Sequence, residues 1–226
     1  MSDWLRTDER QEFISSMQMV CRSLNECLED EGQWKWGVIA LHSAIQGIMV
    51  MSLRGTNDFL IMPEKLAGKC IKAHSEGKSW PKVKMDSFPS LYQKVQSEEM
   101  MCFYVDSKAL TKDSDRDKDL NYLSQLRNSF IHFMPQGFSL YVADLPNVFL
   151  SLLKMIKFLG WETTNVTWYD EKTSEKAKLL VDDAISITNT LKKPTRHLNE
   201  TKTVGYDKRL TIFRVTRFCQ KTIQPP

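Results

Sequence analysis

Apolar side chains recur every three or four residues along most of the chain, which is the spacing of one face of an α-helix. Seven segments carry this pattern and predict helices, at residues 5–29, 34–53, 63–73, 89–103, 120–133, 145–160 and 174–191. Extended structure is expected only in a short link at residues 138–142 and in a strand-like stretch at residues 210–218. The predicted fold class is therefore all-α.

Two of the expected helices differ in how their apolar residues are distributed. The first has a single apolar face, which consists of Phe13, Met17, Val20, Leu24 and Leu28. Residues 34–53 are apolar on nearly all sides, as in a central helix that its neighbours cover. The most apolar part, residues 37–53, is short for a membrane span and contains His42 and Gln46. We therefore expect a buried core helix and no membrane segment, with His42 as a core histidine rather than a metal ligand.

Two other segments interrupt the helical pattern with charge. Residues 106–119 contain nine charged side chains among fourteen and almost no apolar anchor, so a solvated loop is expected before the next helix. Residues 195–226 are basic and form either an added ribbon or a flexible arm. The chain is therefore expected to divide into a helical domain at residues 1–194 and a basic C-terminal extension at residues 195–226.

The composition is that of an ordinary globular protein, with 42% hydrophobic and 26% charged residues among 226. A net charge of +3 is too small to establish a nucleic-acid partner, because phosphate binding requires a concentrated basic patch. Five cysteines without a C-x-x-C pair indicate neither a disulfide framework nor a zinc site. The charged N-terminus lacks the apolar core of a secretory signal. A cytoplasmic protein without a metal or cofactor is expected.

The strongest candidate for chemistry is a run in which Arg127 is followed by Asn128 and, five residues after the arginine, by His132. Histidine gains and loses a proton near neutral pH, so it can exchange a proton with the 2′-hydroxyl or with the leaving oxygen of RNA. The planar arginine fork can hold two phosphate oxygens and stabilise the charge of the transition state. The three residues therefore predict RNA cleavage without a metal, with Asn128 orienting the histidine or a phosphate oxygen in one shared pocket.

The spacing alone is a weak signal. With ten arginines and four histidines, an arginine five residues before a histidine arises by chance in about one such sequence in five or six. Without further context, Arg127 and His132 would more often be an ordinary surface or core pair in a structural helical protein.

The arrangement resembles the R-x(4-6)-H signature of the HEPN superfamily (higher eukaryotes and prokaryotes nucleotide-binding), in which Asn, Asp or His typically follows the arginine, as Asn128 does here. Residues 34–46 are also similar to the early helix of that family, where a Leu-His-Ala-like run precedes a polar residue. The resemblance covers residues 5–191 in helix order, and its specific part is residues 126–137. One departure is that Gly47 and apolar residues stand where many members carry an acidic residue and a lysine.

The resemblance implies an up-and-down helical bundle that forms a homodimer, with both Arg-x-x-x-x-His motifs meeting in a cleft at the interface. It implies a metal-independent endoribonuclease that acts on RNA, used by many members as a toxin or a phage-defence effector, with an antitoxin or another regulator as a further partner. Some relatives have lost catalysis. A non-catalytic module that binds a nucleotide, an RNA or a partner protein is therefore the alternative.

Basic residues outside the motif are the remaining candidates. Lys154 and Lys157 lie on the polar side of an otherwise apolar helix, where they either contact substrate phosphate or keep that face solvated. The basic C-terminal extension likewise either adds phosphate contacts or serves as a solubilising arm.

Overall fold

The structure, a computed structural model, describes residues 4–132, 137–192 and 210–213. Within these ranges the chain forms eight α-helices and one two-stranded ribbon. The helices are α1 (Glu9–Glu26), α2 (Gln33–Leu53), α3 (Glu64–Ser75), α4 (Phe88–Val95), α5 (Glu98–Met101), α6 (Ser114–Ile131), α7 (Leu145–Trp161) and α8 (Glu171–Leu191). The strands are β1 (Gly137–Leu140) and β2 (Leu210–Phe213). The predicted all-α class is confirmed.

Helix α2 lies at the centre of the bundle, in contact with α1, α4, α6 and α7. Its fully buried side chains are distributed around the helix and include Val38, Leu41, Ala44, Ile45, Ile48 and Met49. A helix that is apolar on all sides is stable in water only when its neighbours cover it. The prediction of a central helix at residues 34–53 is therefore confirmed.

By length and composition alone, α2 also meets the requirements of a membrane-crossing helix, and among the described residues no other helix does. In its most apolar window of 18 residues, 67% of the residues are buried inside the fold. The core helix of a bundle has the same length and apolar character. The burial of α2 agrees with the prediction of a core helix at residues 37–53.

Helix α1 runs antiparallel to α2. Gly37 of α2 lies against Ser23 of α1, and Gly47 lies against Phe13, so the two chains advance in opposite directions. Four of the five predicted apolar residues of α1 are buried, and the exception is Leu28, which is 75% exposed. The prediction for Leu28 is wrong because α1 ends before this residue, which lies in the following turn.

Helices α7 and α8 pack together as an antiparallel pair. Lys157 Nζ donates to Asp182 Oδ1 at 2.6 Å, and Trp161 Nε1 donates to Ser174 Oγ at 3.0 Å. The apolar spacing of residues 145–160 predicts one buried stripe, and its members are all buried, namely Val148, Leu152, Met155 and Leu159. Helix α8 begins three residues earlier than expected because Asp170, rather than Ser174, caps it by accepting a backbone N–H of the first turn.

Helix α6 also begins earlier than expected, so the prediction of a loop over all of residues 106–119 is wrong for its last six residues. The Oδ1 atom of Asp113 accepts the backbone N–H groups of Asp115 and Arg116, at 2.9 and 3.2 Å. Acidic residues in the first turn interact favourably with the positive end of the helix dipole. Asp115 also pairs with Lys118 at 2.6 Å. Capping and local charge pairs therefore stabilise the first turns of α6, although this part of the sequence has almost no apolar residues.

Residues 89–103 do not form the single helix that their spacing predicts. Helix α4 ends at Val95, and α5 begins after Ser97, whose backbone is extended. The N–H of Leu110 donates to the carbonyl oxygen of Val95 at 2.8 Å, which satisfies one of the carbonyl groups left open at the end of α4. The apolar spacing places Leu91 and Val95 on the inner face of the expected helix, and both are buried.

Strand β2 pairs antiparallel with β1, from Leu210 opposite Leu140 to Phe213 opposite Gly137. Strand β1 overlaps the predicted extended link, and β2 lies within the predicted strand-like stretch. The other residues of the basic extension lie outside the described residues. The domain boundary after residue 194, and the choice between a ribbon and an arm for the whole extension, stay predictions.

The enclosure of α2 provides a stability test. Phe149 of α7 is fully buried and meets Trp34 of α2 edge to face, with ring centroids 5.2 Å apart. We expect Phe149→Ala to lower the free energy of unfolding by about 3–5 kcal/mol, because it removes a large apolar side chain and leaves a cavity. Urea unfolding measures this change. Leu179→Ala, at a site that is 63% exposed, is the control and should have little effect. A similar small change for both variants would contradict the described packing.

Candidate functional site

The three residues of the motif lie in the last turn of α6 and at its end. Arg127 and Asn128 are helical, whereas His132 is the residue that follows the helix. The backbone N–H of His132 donates to the carbonyl oxygen of Asn128 at 2.8 Å and closes the final turn. The side chains of Asn128 and His132 are exposed, and that of Arg127 is half-buried. The motif is therefore accessible at one end of the bundle.

The guanidinium group of Arg127 is held by its neighbour in the chain. Its Nη1 atom donates to Asn128 Oδ1 at 3.0 Å. Within the described ranges, no carboxylate lies within ion-pair distance of Arg127. A guanidinium group has five N–H donors, so most of its donors remain available for an anion. Asn128 therefore orients Arg127 in the structure, and its predicted role towards His132 or a phosphate oxygen stays a prediction.

A second histidine, His42 of α2, lies within electrostatic range of Arg127. The His42 ring is buried and stacks on Phe88, with centroids 4.0 Å apart and planes 18° from parallel. Burial, which is the larger cause, and the positive charge of Arg127 together lower the pKa of His42 to about 4. His42 is therefore neutral at physiological pH. The prediction that it is a buried core histidine agrees with this position, but its proximity to Arg127 is not visible in the sequence.

His132 is less closely connected to Arg127 than the sequence predicts. Five residues of α-helix correspond to a rotation of about 140°, so the two side chains leave α6 in different directions. In the described part of the chain, His132 forms its hydrogen bond through the backbone, and its imidazole neither bonds nor stacks with Arg127. Within a single chain, Arg127 therefore bonds to Asn128 and acts electrostatically on His42, but among the described residues it does not bond to the imidazole of His132.

The two predicted substrate-binding lysines lie away from Arg127. Lys157 is paired with Asp182 of α8. Lys154 is exposed and lines a separate pocket together with Arg116, near the start of α6. Arg116 and Arg127 are eleven residues apart, which is about 16 Å along a helix. Any contact of Lys154 with an RNA bound at Arg127 would therefore require a ligand that extends along α6.

Within the described residues, no group of three His, Cys, Asp or Glu side chains is placed to hold a metal ion. Asp113 and its acidic neighbours serve the first turn of α6 instead. The candidate residues at this end of the bundle are Arg127, Asn128, His132 and His42.

Comparisons of the chain with protein-family models, with curated protein sequences and with solved structures gave no match. An assignment of function therefore depends on the motif, the fold around it and the charges that meet there.

The electrostatic influence of Arg127 on His42 can be tested by titration. We expect the imidazole of His42 to titrate near pH 4 in the wild type. Arg127→Gln should raise this pKa, because it removes a nearby positive charge, but leave it below 6.5, because burial is the larger cause. NMR of the imidazole carbon-bound protons measures the shift. The control is Arg22→Gln, at an exposed arginine of α1. An unchanged His42 pKa in Arg127→Gln would show that the two groups are not neighbours.

The same pKa makes stability depend on pH. The pKa of His42 is lower in the folded chain than the ordinary 6.5, so the unfolded chain binds more protons between about pH 6.5 and 4. The contribution of His42 is therefore complete above pH 6.5 and is lost as the pH falls towards 4. The quantity to compare is the unfolding free energy of the wild type minus that of His42→Gln. From pH 7 to pH 5 this difference should fall by about 2 kcal/mol. Urea titrations at both pH values measure it, and a constant difference would contradict a depressed pKa.

Proposed function

We propose that the protein is a metal-independent endoribonuclease of the HEPN type, in which Arg127, Asn128 and His132 act on RNA in a cleft between two copies of the chain. The observation that carries this proposal is the state of Arg127. Its guanidinium is half-buried, bonded to Asn128 and adjacent to the neutral His42, and no carboxylate within the described ranges neutralises it. Such a group favours an anionic ligand, and its planar fork fits a phosphate.

The chemistry requires a proton to leave the 2′-hydroxyl and another to reach the departing 5′-oxygen. His132 is exposed and is the histidine of the motif, and it serves as the general acid or base. The 2′-oxygen forms a bond to phosphorus while the bond from phosphorus to the 5′-oxygen breaks. Arg127 stabilises the negative charge that gathers on the phosphate oxygens. The products carry a 2′,3′-cyclic phosphate, or a 3′-phosphate after its hydrolysis, and a 5′-hydroxyl.

The angular separation of Arg127 and His132 supports a dimeric site. Since their side chains leave α6 about 140° apart, one chain does not bring the guanidinium and the imidazole together. A second copy can supply the missing group from its own α6. Ile131, one turn after Arg127, is 44% exposed, which places an apolar side chain where two copies would meet.

The proposal extends to the setting in which such an enzyme acts. An RNA-cleaving protein in the cytoplasm damages its own cell unless it is controlled. A role as a toxin or a phage-defence effector, silenced by an antitoxin or another regulator, is therefore part of the proposal.

The alternative is a non-catalytic HEPN module that binds a nucleotide, an RNA or a partner protein through the same residues. The observation in its favour is that Arg127 acts electrostatically on the neutral His42 and does not bond to the imidazole of His132 within the described residues. This arrangement binds an anion without placing a proton donor next to it.

Cleavage of labelled total RNA in EDTA tests the enzyme. We expect the wild type to produce 2′,3′-cyclic phosphate ends, and His132→Ala and Arg127→Ala to lower the rate by about 100-fold or more, which is the range of general acid–base and electrostatic catalysis. His74→Ala changes an exposed histidine on α3 and is the matched control, with an unchanged rate. Circular dichroism and size measurements confirm that each variant stays folded and keeps its oligomeric state.

The outcomes separate the two proposals. Cleavage that the wild type and His74→Ala perform and the motif variants do not would support the endoribonuclease. Intact RNA with the folded wild type, together with RNA binding that Arg127→Ala weakens, would favour the binding module. Cleavage that persists in both motif variants would contradict the role of Arg127 and His132.

A further inference from the structure

A groove of about 260 Å³ runs between α4 and α6. On the α4 side its lining includes Phe88, Tyr92 and Gln93, and Gln96 follows the end of that helix. On the α6 side it includes Asn121 and Ser124. The volume is slightly below the range of about 300–1,000 Å³ that pockets for drug-sized ligands occupy, so the groove fits one ring-sized group.

The groove leads to the candidate site. Leu120 and Ser124, which line it, are followed on the same side of α6 by Arg127, at the helical spacing i, i+4 and i+7. Phe88 forms part of the groove and stacks on His42, the neighbour of Arg127. A ligand whose charged group is bound by Arg127 can therefore place an adjoining group in the groove.

The chemistry of the lining identifies that adjoining group as uncharged. Among the described residues, the lining contains no lysine or arginine and one carboxylate, Asp117, which would repel a phosphate. Arg116, next to the groove, is engaged there, since its Nε donates to the Tyr92 hydroxyl at 3.2 Å. Tyr92 donates its hydroxyl hydrogen to Asp117 Oδ1 at 2.7 Å, and this bond orients the carboxylate. The amides of Gln93, Gln96 and Asn121 offer donors and acceptors to a planar polar ring. These groups match the hydrogen-bonding edge of an unpaired nucleobase.

We propose that the groove between α4 and α6 binds an unpaired nucleobase of the RNA whose phosphate is held by Arg127. The inference rests on the proposed function, because it takes RNA as the ligand of Arg127. The carboxylate of Asp117 only accepts hydrogen bonds, so a base with an exocyclic amino group is preferred, and cytosine should bind better than uracil. These two bases have nearly the same size and differ mainly in that amino group.

Equilibrium binding of fluorescein-labelled hexamers of cytidylate and uridylate to the full chain tests the inference. His132→Ala serves as the background in which RNA stays intact. The double substitution Gln93→Ala and Asn121→Ala should weaken binding of the cytidylate hexamer about tenfold, because two base-edge contacts are lost. Gln125→Ala removes an exposed amide of the same helix that does not line the groove, and it is the matched control. Asp117→Asn, which can still accept the Tyr92 hydroxyl, should reduce the preference for cytidylate.

Each outcome bears on the groove. The inference is supported if the double variant binds the cytidylate hexamer more weakly while Gln125→Ala binds it with nearly the affinity of the background chain. If Arg127→Ala weakens both hexamers while the double variant binds them as Gln125→Ala does, RNA binding stands and the groove inference is overturned. If the background chain binds neither hexamer, the groove inference fails as well, and the cleavage assay on total RNA decides the proposed function separately.

Discussion

Helix α2 carries apolar side chains on nearly all of its sides, so water has to be excluded from most of its surface. One neighbouring helix cannot do this, so α1, α4, α6 and α7 all pack against it, and α8 closes over α1 and α7. The position of α6, and hence of Arg127, follows from this enclosure. The single polar ring that α2 buries in its middle, His42, then becomes the neighbour of Arg127. The hydrophobic requirement of α2 therefore determines the surroundings of the candidate site.

Buried polar contacts supplement the apolar packing near the end of α2. The amide of Asn165, which is 1% exposed, donates to the carbonyl oxygens of Ser52 at 3.1 Å and Met101 at 2.9 Å. These bonds connect the segment between α7 and α8 to α2 and to α5. Because a buried backbone carbonyl without a partner is costly, the contacts favour one arrangement of these elements over others. The bundle is therefore specified by polar contacts as well as by apolar burial.

The apolar spacing of the sequence predicts the helices well where burial decides the structure, as in α2 and α7, whose expected core residues are buried. It fails where local polar interactions decide it. Asp113, for example, starts α6 inside a charged segment. The exposure of Leu28 is a separate failure, since α1 ends before this residue. At the site, the contact between adjacent residues Arg127 and Asn128 is predictable from the chain. The electrostatic influence of Arg127 on His42 is not, because it joins residues 85 positions apart that only the packing of α6 on α2 brings near each other.

The neutrality of His42 affects what Arg127 can do. A carboxylate at the position of His42 would pair with the guanidinium and compete with any incoming phosphate. A protonated imidazole there would add a second positive charge that the half-buried surroundings disfavour. The neutral ring does neither, so the guanidinium charge is partly removed from water without being compensated by the described residues. An anion that binds Arg127 replaces the interactions with water that the guanidinium has lost. The electrostatic free energy of binding is therefore more favourable than for an arginine that already forms an ion pair.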